Sequence, residues 1–292
     1  MYSELMDGLK SGKIIPYLGA GAVTDVTNVD DHTPMPADSD SLILAMNNGQ
    51  PMAPRLMYEF PRAAMNLENK KGRSFITRFL NDTYLTKKWT QAKLHRWLAD
   101  INPGWIIDIN RDTQLIDLYR DRQHILIQGL SRVAGTDFRY KLFNYDGENY
   151  TEIDQSKVMA GLPILFKPLG SPVPEANYIA SDADFVDYIT ELMGGFAVPE
   201  FLKLYRQNKQ YLFLGMRFTR PGNSRWKKAL TRKRPQSRTM AKLDSRLLRN
   251  SWRRSGSIAL SSNKATSFSV SLSPCGRNSP STRNKIGAPT VM

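Results

Sequence analysis

Cysteine, histidine and long apolar runs are scarce in this chain of 292 residues, and each scarcity narrows what the protein can be. The single cysteine, Cys275, excludes an intramolecular disulfide. No apolar run approaches the ~18 residues that a membrane-spanning helix needs, and the first residues lack the apolar core of a signal peptide. We therefore expect a cytoplasmic protein without a membrane segment.

Positive charge is abundant, but it is concentrated at one end of the chain. Residues 221–292 contain 16 Lys and Arg against one acidic residue, whereas residues 1–220 contain 25 basic and 26 acidic residues. We therefore divide the chain into a domain over residues 1–220 and a basic, Ser/Arg-rich tail over residues 221–292. Such a tail, poor in aromatic residues, cannot bury enough apolar surface to offset chain entropy, which predicts disorder.

Three interpretations of the tail remain open. It is a nucleic-acid-binding arm held by phosphate contacts, a solvated segment without a specific role, or sequence translated out of frame. The abrupt change of composition after residue 220, with no linker, favours the third. A nucleic-acid partner is expected only if the tail is genuine, because the near-neutral domain gives no such indication.

Apolar segments of strand type alternate with helical patterns through the first 220 residues. A long helical region is expected over residues 55–84, Ser181 is placed as a helix cap, and residues 22–54 resemble a long loop. Strands are expected at residues 13–18, 105–109, 124–127, 163–167 and 211–215, with a β-hairpin at 141–153. This alternation predicts an α/β domain of Rossmann-like type, with a mostly parallel sheet covered by helices on both faces.

The first predicted strand runs directly into Gly19-Ala20-Gly21. Main-chain N–H groups at such a turn can approach a diphosphate with no side chain in the way. The motif is incomplete, because Thr24 occupies the position of the third glycine of a dinucleotide-binding fingerprint. A sharp strand-to-loop turn without a ligand is the alternative.

Polar residues and glycines follow several other predicted strands, where ligands of parallel sheets bind. Asn110 and Asp112 come after the second strand and are candidates to bind a ribose or a water. They are equally typical of a turn that caps the following helix. The full set of candidate site residues is Gly19, Ala20, Gly21, Asn110, Asp112, Gly170, Ser171, Gly215 and Arg217.

The order of these motifs resembles the sirtuin-related, SIR2-like NAD-binding family, especially its bacterial, zinc-free branch. The segment from Gly12-Lys13 to Gly21 is similar to the family's G-K-x-x-x-x-x-G-A-G, and His95 with Leu98 to its His-x-x-Leu helix. Further similarities, in chain order, are Asp108 to Asp112 with T-N-Y-D, Lys167 to Ser171 with K-L-H-G-S, Ser181 to Phe185 with T-x-x-D/E-Y/F, and Leu212 to Gly215 with L-F-x-G. The resemblance spans about residues 5–218.

The resemblance implies that NAD or a related nucleotide binds in the crevice at the strand ends. Gly19, Ala20 and Gly21 would contact the diphosphate, and Asn110 and Asp112 would act as the catalytic residues beside the nicotinamide ribose. Active relatives cleave the nicotinamide–ribose bond, and the zinc-free branch is associated with bacterial defence through NAD depletion. Gly170, Ser171, Gly215 and Arg217 would be further nucleotide contacts, and homo-oligomerisation is left open.

This sequence departs from the family at the catalytic base. Leu169 stands where the family has the histidine of K-L-H-G, and leucine cannot exchange a proton. Of the three histidines, we expect His95 to be structural, His124 to be satisfied in the core, and His32 to be solvated in a loop. A catalytically inactive nucleotide sensor is therefore the alternative to an NAD glycohydrolase. Protein deacetylation is not expected, because one cysteine cannot build that module's zinc site, and no metal is assigned.

Overall fold

The computed structural model describes residues 2–131 and 138–216 and, in the tail, the backbone of two strands. Nine strands lie within the first two of these ranges. They are β1 (Ile14–Leu18), β2 (Trp105–Asp108), β3 (His124–Gly129), β4 (Tyr140–Tyr145), β5 (Tyr150–Glu152), β6 (Ile164–Lys167), β7 (Gly170–Ser171), β8 (Asn177–Tyr178) and β9 (Gln210–Leu214).

Seven of these strands form one sheet in the order β5-β4-β3-β6-β2-β1-β9. The five strands from β3 to β9 in that order are parallel, and β4 and β5 extend the β3 edge in antiparallel fashion. The predicted α/β class and the mostly parallel sheet are therefore confirmed, as is the hairpin, which forms β4 and β5. Strands β7 and β8 form a separate antiparallel pair that the sequence pattern does not predict.

Helices cover both faces of the sheet. They are α1 (Tyr2–Lys10), α2 (Ser39–Met46), α3 (Phe60–Lys71), α4 (Arg73–Asn81), α5 (Lys93–Ile101), α6 (Gln114–Leu118), α7 (Asp182–Gly194) and α8 (Glu200–Tyr205). Among the residues that the structure describes, none of these helices combines the length and the apolarity needed to cross a bilayer.

Strand alternation decides which helix covers which face. Ile107 and Phe166 point to one face, where they pack in a cluster with Tyr188 of α7 and Leu202 of α8. Their strand neighbours Ile106 and Leu165 point to the other face and pack with residues of α5 and α6, among them Leu98 and Leu115. Successive side chains of a strand face opposite sides, so strands buried on both faces read as continuous apolar runs.

A helical layer formed by α2, α3 and α4 builds a third apolar cluster, which includes Tyr178 and Ala180 near the carboxyl edge of the sheet. The long loop predicted over residues 22–54 contains α2, which Asp38 caps by accepting a hydrogen bond from the Ser41 N–H. The helical region predicted over residues 55–84 is divided at Gly72, whose φ of +83° cannot continue a helix.

The basic tail is described only at its two strands, β10 (Ile258–Asn263) and β11 (Ser267–Leu272), which pair in antiparallel fashion. The predicted disorder and the three interpretations of the tail otherwise concern residues that lie outside the described ones, and so does Arg217.

The two non-helical histidines lie as predicted. His32 is exposed in the loop after β1, and His124 is fully buried at the start of β3. The His124 ring lies 3.0 Å from the Arg122 carbonyl through Nδ1 and 2.7 Å from the Tyr150 hydroxyl through Nε2. Burial lowers the pKa of His124 below its ordinary 6.5.

We predict that His124 makes folding sensitive to mild acid. Below pH 6.5 the unfolded chain binds a proton at His124 more readily than the folded chain, so the free energy of unfolding declines as the pH falls from 6.5 towards the lower folded pKa. Urea unfolding between pH 7.5 and pH 5.5 should show a smaller decline in His124→Asn than in the wild type. His32→Asn is the control and should keep the wild-type decline, since Asn also tolerates that residue's φ of +58°. Parallel declines in all three proteins would contradict the prediction.

Candidate functional site

The carboxyl ends of β1 and β9 meet through their backbones. The Gly19 N–H donates to the Leu214 carbonyl and the Gly21 N–H donates to the Gly215 carbonyl, both at 2.8 Å. The two loops that follow these neighbouring parallel strands are therefore joined directly. The predicted site residues Gly19, Gly21 and Gly215 are brought together by this junction.

The junction leaves no room for side chains. A Cβ on Gly21 would lie 2.8 Å from the Gly215 Cα, and a Cβ on Gly19 would lie 2.6 Å from the Gly215 carbonyl oxygen. A Cβ on Gly215 would overlap the Ala22 nitrogen, and its φ of +66° lies in the left-handed region that glycine adopts most readily. Close backbone approach therefore accounts for glycine at all three positions.

The same junction changes the account of the diphosphate contact. The N–H groups of Gly19 and Gly21 already donate to β9 carbonyls, so they are not free to bind an anion. Ala20 lies between them, is partly exposed, and its N–H has no acceptor among the described residues. Of the three amides in the predicted motif, Ala20 is the one available to a ligand.

Asn110 joins β2 to the β1 loop. Its Nδ2 donates to the Gly19 carbonyl at 3.1 Å and to Asp108 Oδ1 at 2.9 Å, and its backbone N–H donates to the same Asp108 oxygen. These bonds determine which way the amide is turned. The Oδ1 atom accepts no hydrogen bond from a described residue, so Asn110 presents an acceptor while its donors are occupied.

A buried ion pair supports this arrangement, and the sequence reasoning missed it. Lys167 Nζ lies 2.7 Å from Asp108 Oδ2, and both side chains are fully buried. Lys167 ends β6 and Asp108 ends β2, and these strands are neighbours in the sheet. The signal in the sequence is a charge of each sign at the end of an apolar strand, but pairing them requires the strand order.

Asp112 and His95 lie close to this ion pair, inside the protein. Asp112 Oδ1 accepts the backbone N–H of Gln114, the first residue of α6, at 2.9 Å. Its Oδ2 and both ring nitrogens of His95 are buried and have no hydrogen-bond partner among the described residues. Burial raises the pKa of Asp112, and nearby Asp108 adds to this rise while Lys167 and His95 oppose it.

Leu169, which stands where SIR2-like proteins have a catalytic histidine, is part of the apolar core. Leu169 is 5% exposed and packs in the cluster of β2, β6 and α7. Gly170 and Ser171 form β7, where the Gly170 φ is +83° and an added Cβ would overlap the Asn177 carbonyl of the neighbouring β8. The Ser171 side chain is fully buried. Gly170 and Ser171 thus belong to the β7–β8 pair.

A separate cleft of about 430 Å³ lies between α4, the end of β3 and the β7–β8 pair. Arg73, Ser131, Asn177 and Tyr178 are among the residues that line it, and none of the predicted site residues does. Arg73 is bound there by Asp184, by Glu68 at 3.2 Å, and by the Tyr178 carbonyl at 2.6 Å. This cleft and the strand-end polar cluster are thus two different places.

We predict that Gly215→Ala lowers the free energy of unfolding by more than about 3 kcal/mol, because a methyl group adds overlap to a strained φ. Gly49→Ala is the matched control, with a similar φ of +77° and nothing within 4 Å of the added Cβ. It should lose only about 1 kcal/mol in urea unfolding. Equal losses in both variants would show that the β1–β9 junction can relax around a methyl group.

We also predict that Lys167→Met costs about 3–5 kcal/mol in the same measurement, because Asp108 is left charged and buried without a counterion. Lys141→Met provides the control. Lys141 pairs with Glu152 and Glu175, whose side chains are more than half exposed, so the change should cost less than about 1 kcal/mol. A Lys167→Met protein as stable as Lys141→Met would mean that the buried pair contributes little.

Chemically, the strand ends combine a fixed acceptor at Asn110, an available amide at Ala20 and a buried charged cluster beneath them. Donors and acceptors of this kind suit a polar ligand that carries hydroxyl groups.

No protein-family model matches the chain, and no curated protein matches it.

Proposed function

We propose that the chain is a SIR2-like protein that binds NAD or a related nucleotide at the carboxyl edge of its sheet, around β1. The topology supports this location. The chain crosses from β1 to β2 by way of α5 on one face, and reaches β9, on the other side of β1, by way of α7 and α8 on the opposite face. Such a reversal is where open α/β sheets bind their ligands.

The observation that carries the proposal is the state of Asn110. Both hydrogen atoms of its amide have acceptors at Gly19 and Asp108, so its Oδ1 is left as an oriented acceptor beside the β1 loop. A ribose hydroxyl or a water can donate to that atom. The Ala20 N–H lies on the neighbouring loop and can serve a phosphate oxygen of the same ligand.

Hydrolysis of the nicotinamide–ribose bond is the reaction that we propose for this site. NAD would supply the bond that is cleaved, and Asn110 would orient the ribose or the attacking water through Oδ1. A carboxamide does not take up a proton at neutral pH, so Asn110 acts by positioning. Asp112 and His95 are the nearby groups that can exchange a proton, and both are buried beside the ion pair that supports Asn110.

A second candidate is a nucleotide sensor without turnover, and Leu169 favours it. The position at which the family has its base is a core leucine, 5% exposed, in contact with apolar neighbours. Binding through Asn110 and Ala20 requires no base. The two candidates therefore share a binding site and differ in product formation.

We predict that the wild-type protein releases nicotinamide from NAD and that Asn110→Ala lowers the rate by about 10²-fold or more, because the oriented acceptor is lost. Asn144→Ala is the control. Asn144 pairs with Ile125 near the amino end of β3, at the sheet edge opposite the site, so its loss should leave the rate unchanged. Chromatographic measurement of nicotinamide, with circular dichroism to check folding, provides both readouts.

The outcomes separate the candidates. Calorimetric binding of NAD without nicotinamide release selects the sensor, and release at equal rates in wild type and Asn110→Ala removes Asn110 from the reaction. No binding of NAD or of any adenine nucleotide to folded protein overturns the proposal itself.

A further inference from the structure

Arg111 is a buried cation that forms no ion pair with any carboxylate in the described part of the chain. It follows Asn110 in the loop after β2 and is 7% exposed. Its Nε and Nη2 both donate to the Ile179 carbonyl, at 3.1 and 2.5 Å, and its Cζ lies 5.2 Å from the centroid of the Phe60 ring. The remaining nitrogen, Nη1, has no acceptor among the described residues.

Two other cations near the strand ends, among the residues that the structure describes, are paired. Lys167 is bound by Asp108, and Arg73 is bound by Asp184 and Glu68. Asp184 is the carboxylate whose charge acts on Arg111, but it already accepts from Arg73 and from the N–H groups of Ala180 and Ser181. Within residues 2–131 and 138–216, no carboxylate oxygen lies within ion-pair distance of Arg111.

A buried arginine without an anionic partner lowers the stability of the folded protein. Burial lowers the pKa of Arg111 to about 10, since the charged form loses water and gains no counterion. The guanidinium still remains charged at neutral pH. One carbonyl satisfies only part of its five N–H donors, and the free edge at Nη1 has the planar geometry that phosphate and carboxylate groups bind.

We propose that Arg111 binds an anionic phosphate group, and that this contact replaces the one that the amides of Gly19 and Gly21 cannot make. Arg111 follows Asn110 in the loop after β2, so the anion would be bound by the same strand-end loop, on the side of the Ile179 carbonyl and Phe60. The identity of the ligand as a phosphorylated nucleotide rests on the proposed function, whereas the anion site itself does not. The family that the sequence resembles has tyrosine where this chain has Arg111. The proposed anion contact would therefore be a feature of this chain and not of the family.

A purely structural role for Arg111 is the competing explanation. The guanidinium bridges the β2 loop to the Ile179 carbonyl, between β8 and α7, and covers Phe60. If this is its whole task, neutral substitution weakens folding and anions have no effect. If it binds phosphate, the unliganded protein is destabilised little by a neutral substitution, while stabilisation by the anion disappears.

The test uses the full chain, inorganic pyrophosphate as the probe, and three variants. Arg111→Met keeps the length of the side chain without charge, and Arg111→Lys keeps the charge without the planar fork. Arg120→Met is the matched control, since Arg120 lies just after α6, its side chain is 64% exposed, and it pairs with Asp117. Calorimetry gives the dissociation constant, and the melting temperature is recorded with and without pyrophosphate. The basic residues after position 220 contribute equally to every variant, so the difference from wild type is the readout.

We expect Arg111→Met to raise the pyrophosphate dissociation constant at least tenfold and to abolish the rise in melting temperature, with Arg111→Lys intermediate and Arg120→Met unchanged. Equal dissociation constants in wild type and Arg111→Met would overturn the proposal. Should Arg111→Met fail to fold, wild type and Arg111→Lys decide the matter: a larger rise in wild type supports the site, and equal rises or none overturn it.

A parallel titration with NAD separates this proposal from the proposed function. Loss of pyrophosphate binding in Arg111→Met, with no binding of NAD to wild type, supports the anion site and refutes the nucleotide. NAD binding that is equal in wild type and Arg111→Met, with no effect on pyrophosphate, refutes the anion site and leaves the nucleotide proposal standing.

Discussion

The ion pair between Asp108 and Lys167 joins β2 to β6 at the carboxyl edge of the sheet, and Asn110 connects this pair to the β1 loop. Lys167 lies at the end of β6 and Asp108 at the end of β2. The Asp108 carboxylate also accepts hydrogen bonds from the backbone N–H and the side-chain Nδ2 of Asn110. Asn110 in turn holds the Gly19 carbonyl of the β1 loop. A buried pair is weak support for stability by itself, but losing one partner leaves a charge in the interior. The position of Asn110 therefore depends on an ion pair between two fully buried side chains.

A second constraint acts on the other side of β1. The glycines at the ends of β1 and β9 allow two loops to approach within hydrogen-bond distance of each other's backbones. The N–H groups of Gly19 and Gly21 donate to backbone carbonyls in this junction, so only the Ala20 N–H of the motif is available to a phosphate. The glycines of the Gly-Ala-Gly motif therefore serve close backbone packing. One free N–H gives an anion little support, and Arg111 is a buried cation without a carboxylate partner among the described residues.

The polar groups beneath the site are more numerous than the apolar core requires. Asp112 Oδ2 and both nitrogens of His95 are buried without hydrogen-bond partners among the described residues, next to Lys167 and Asp108. Such groups are rare in folded proteins because leaving them unsatisfied is expensive. These three atoms lie beside the ion pair at the strand ends, which supports placing the proposed site at this edge of the sheet.

The sequence by itself determined the α/β class, the parallel strands, the β4–β5 hairpin and the burial of His124, because strand and helix periodicities and turn residues are local properties. It also singled out Asn110 and the β1 glycines, since polar residues after apolar strands are visible in one dimension. Only the tertiary structure decided that Lys167 meets Asp108, that Leu169 belongs to the core, and that Gly170 and Ser171 pair with β8. Those outcomes depend on strand order and on backbone contacts between segments about 200 residues apart, as at Gly19 and Leu214, which no local pattern encodes.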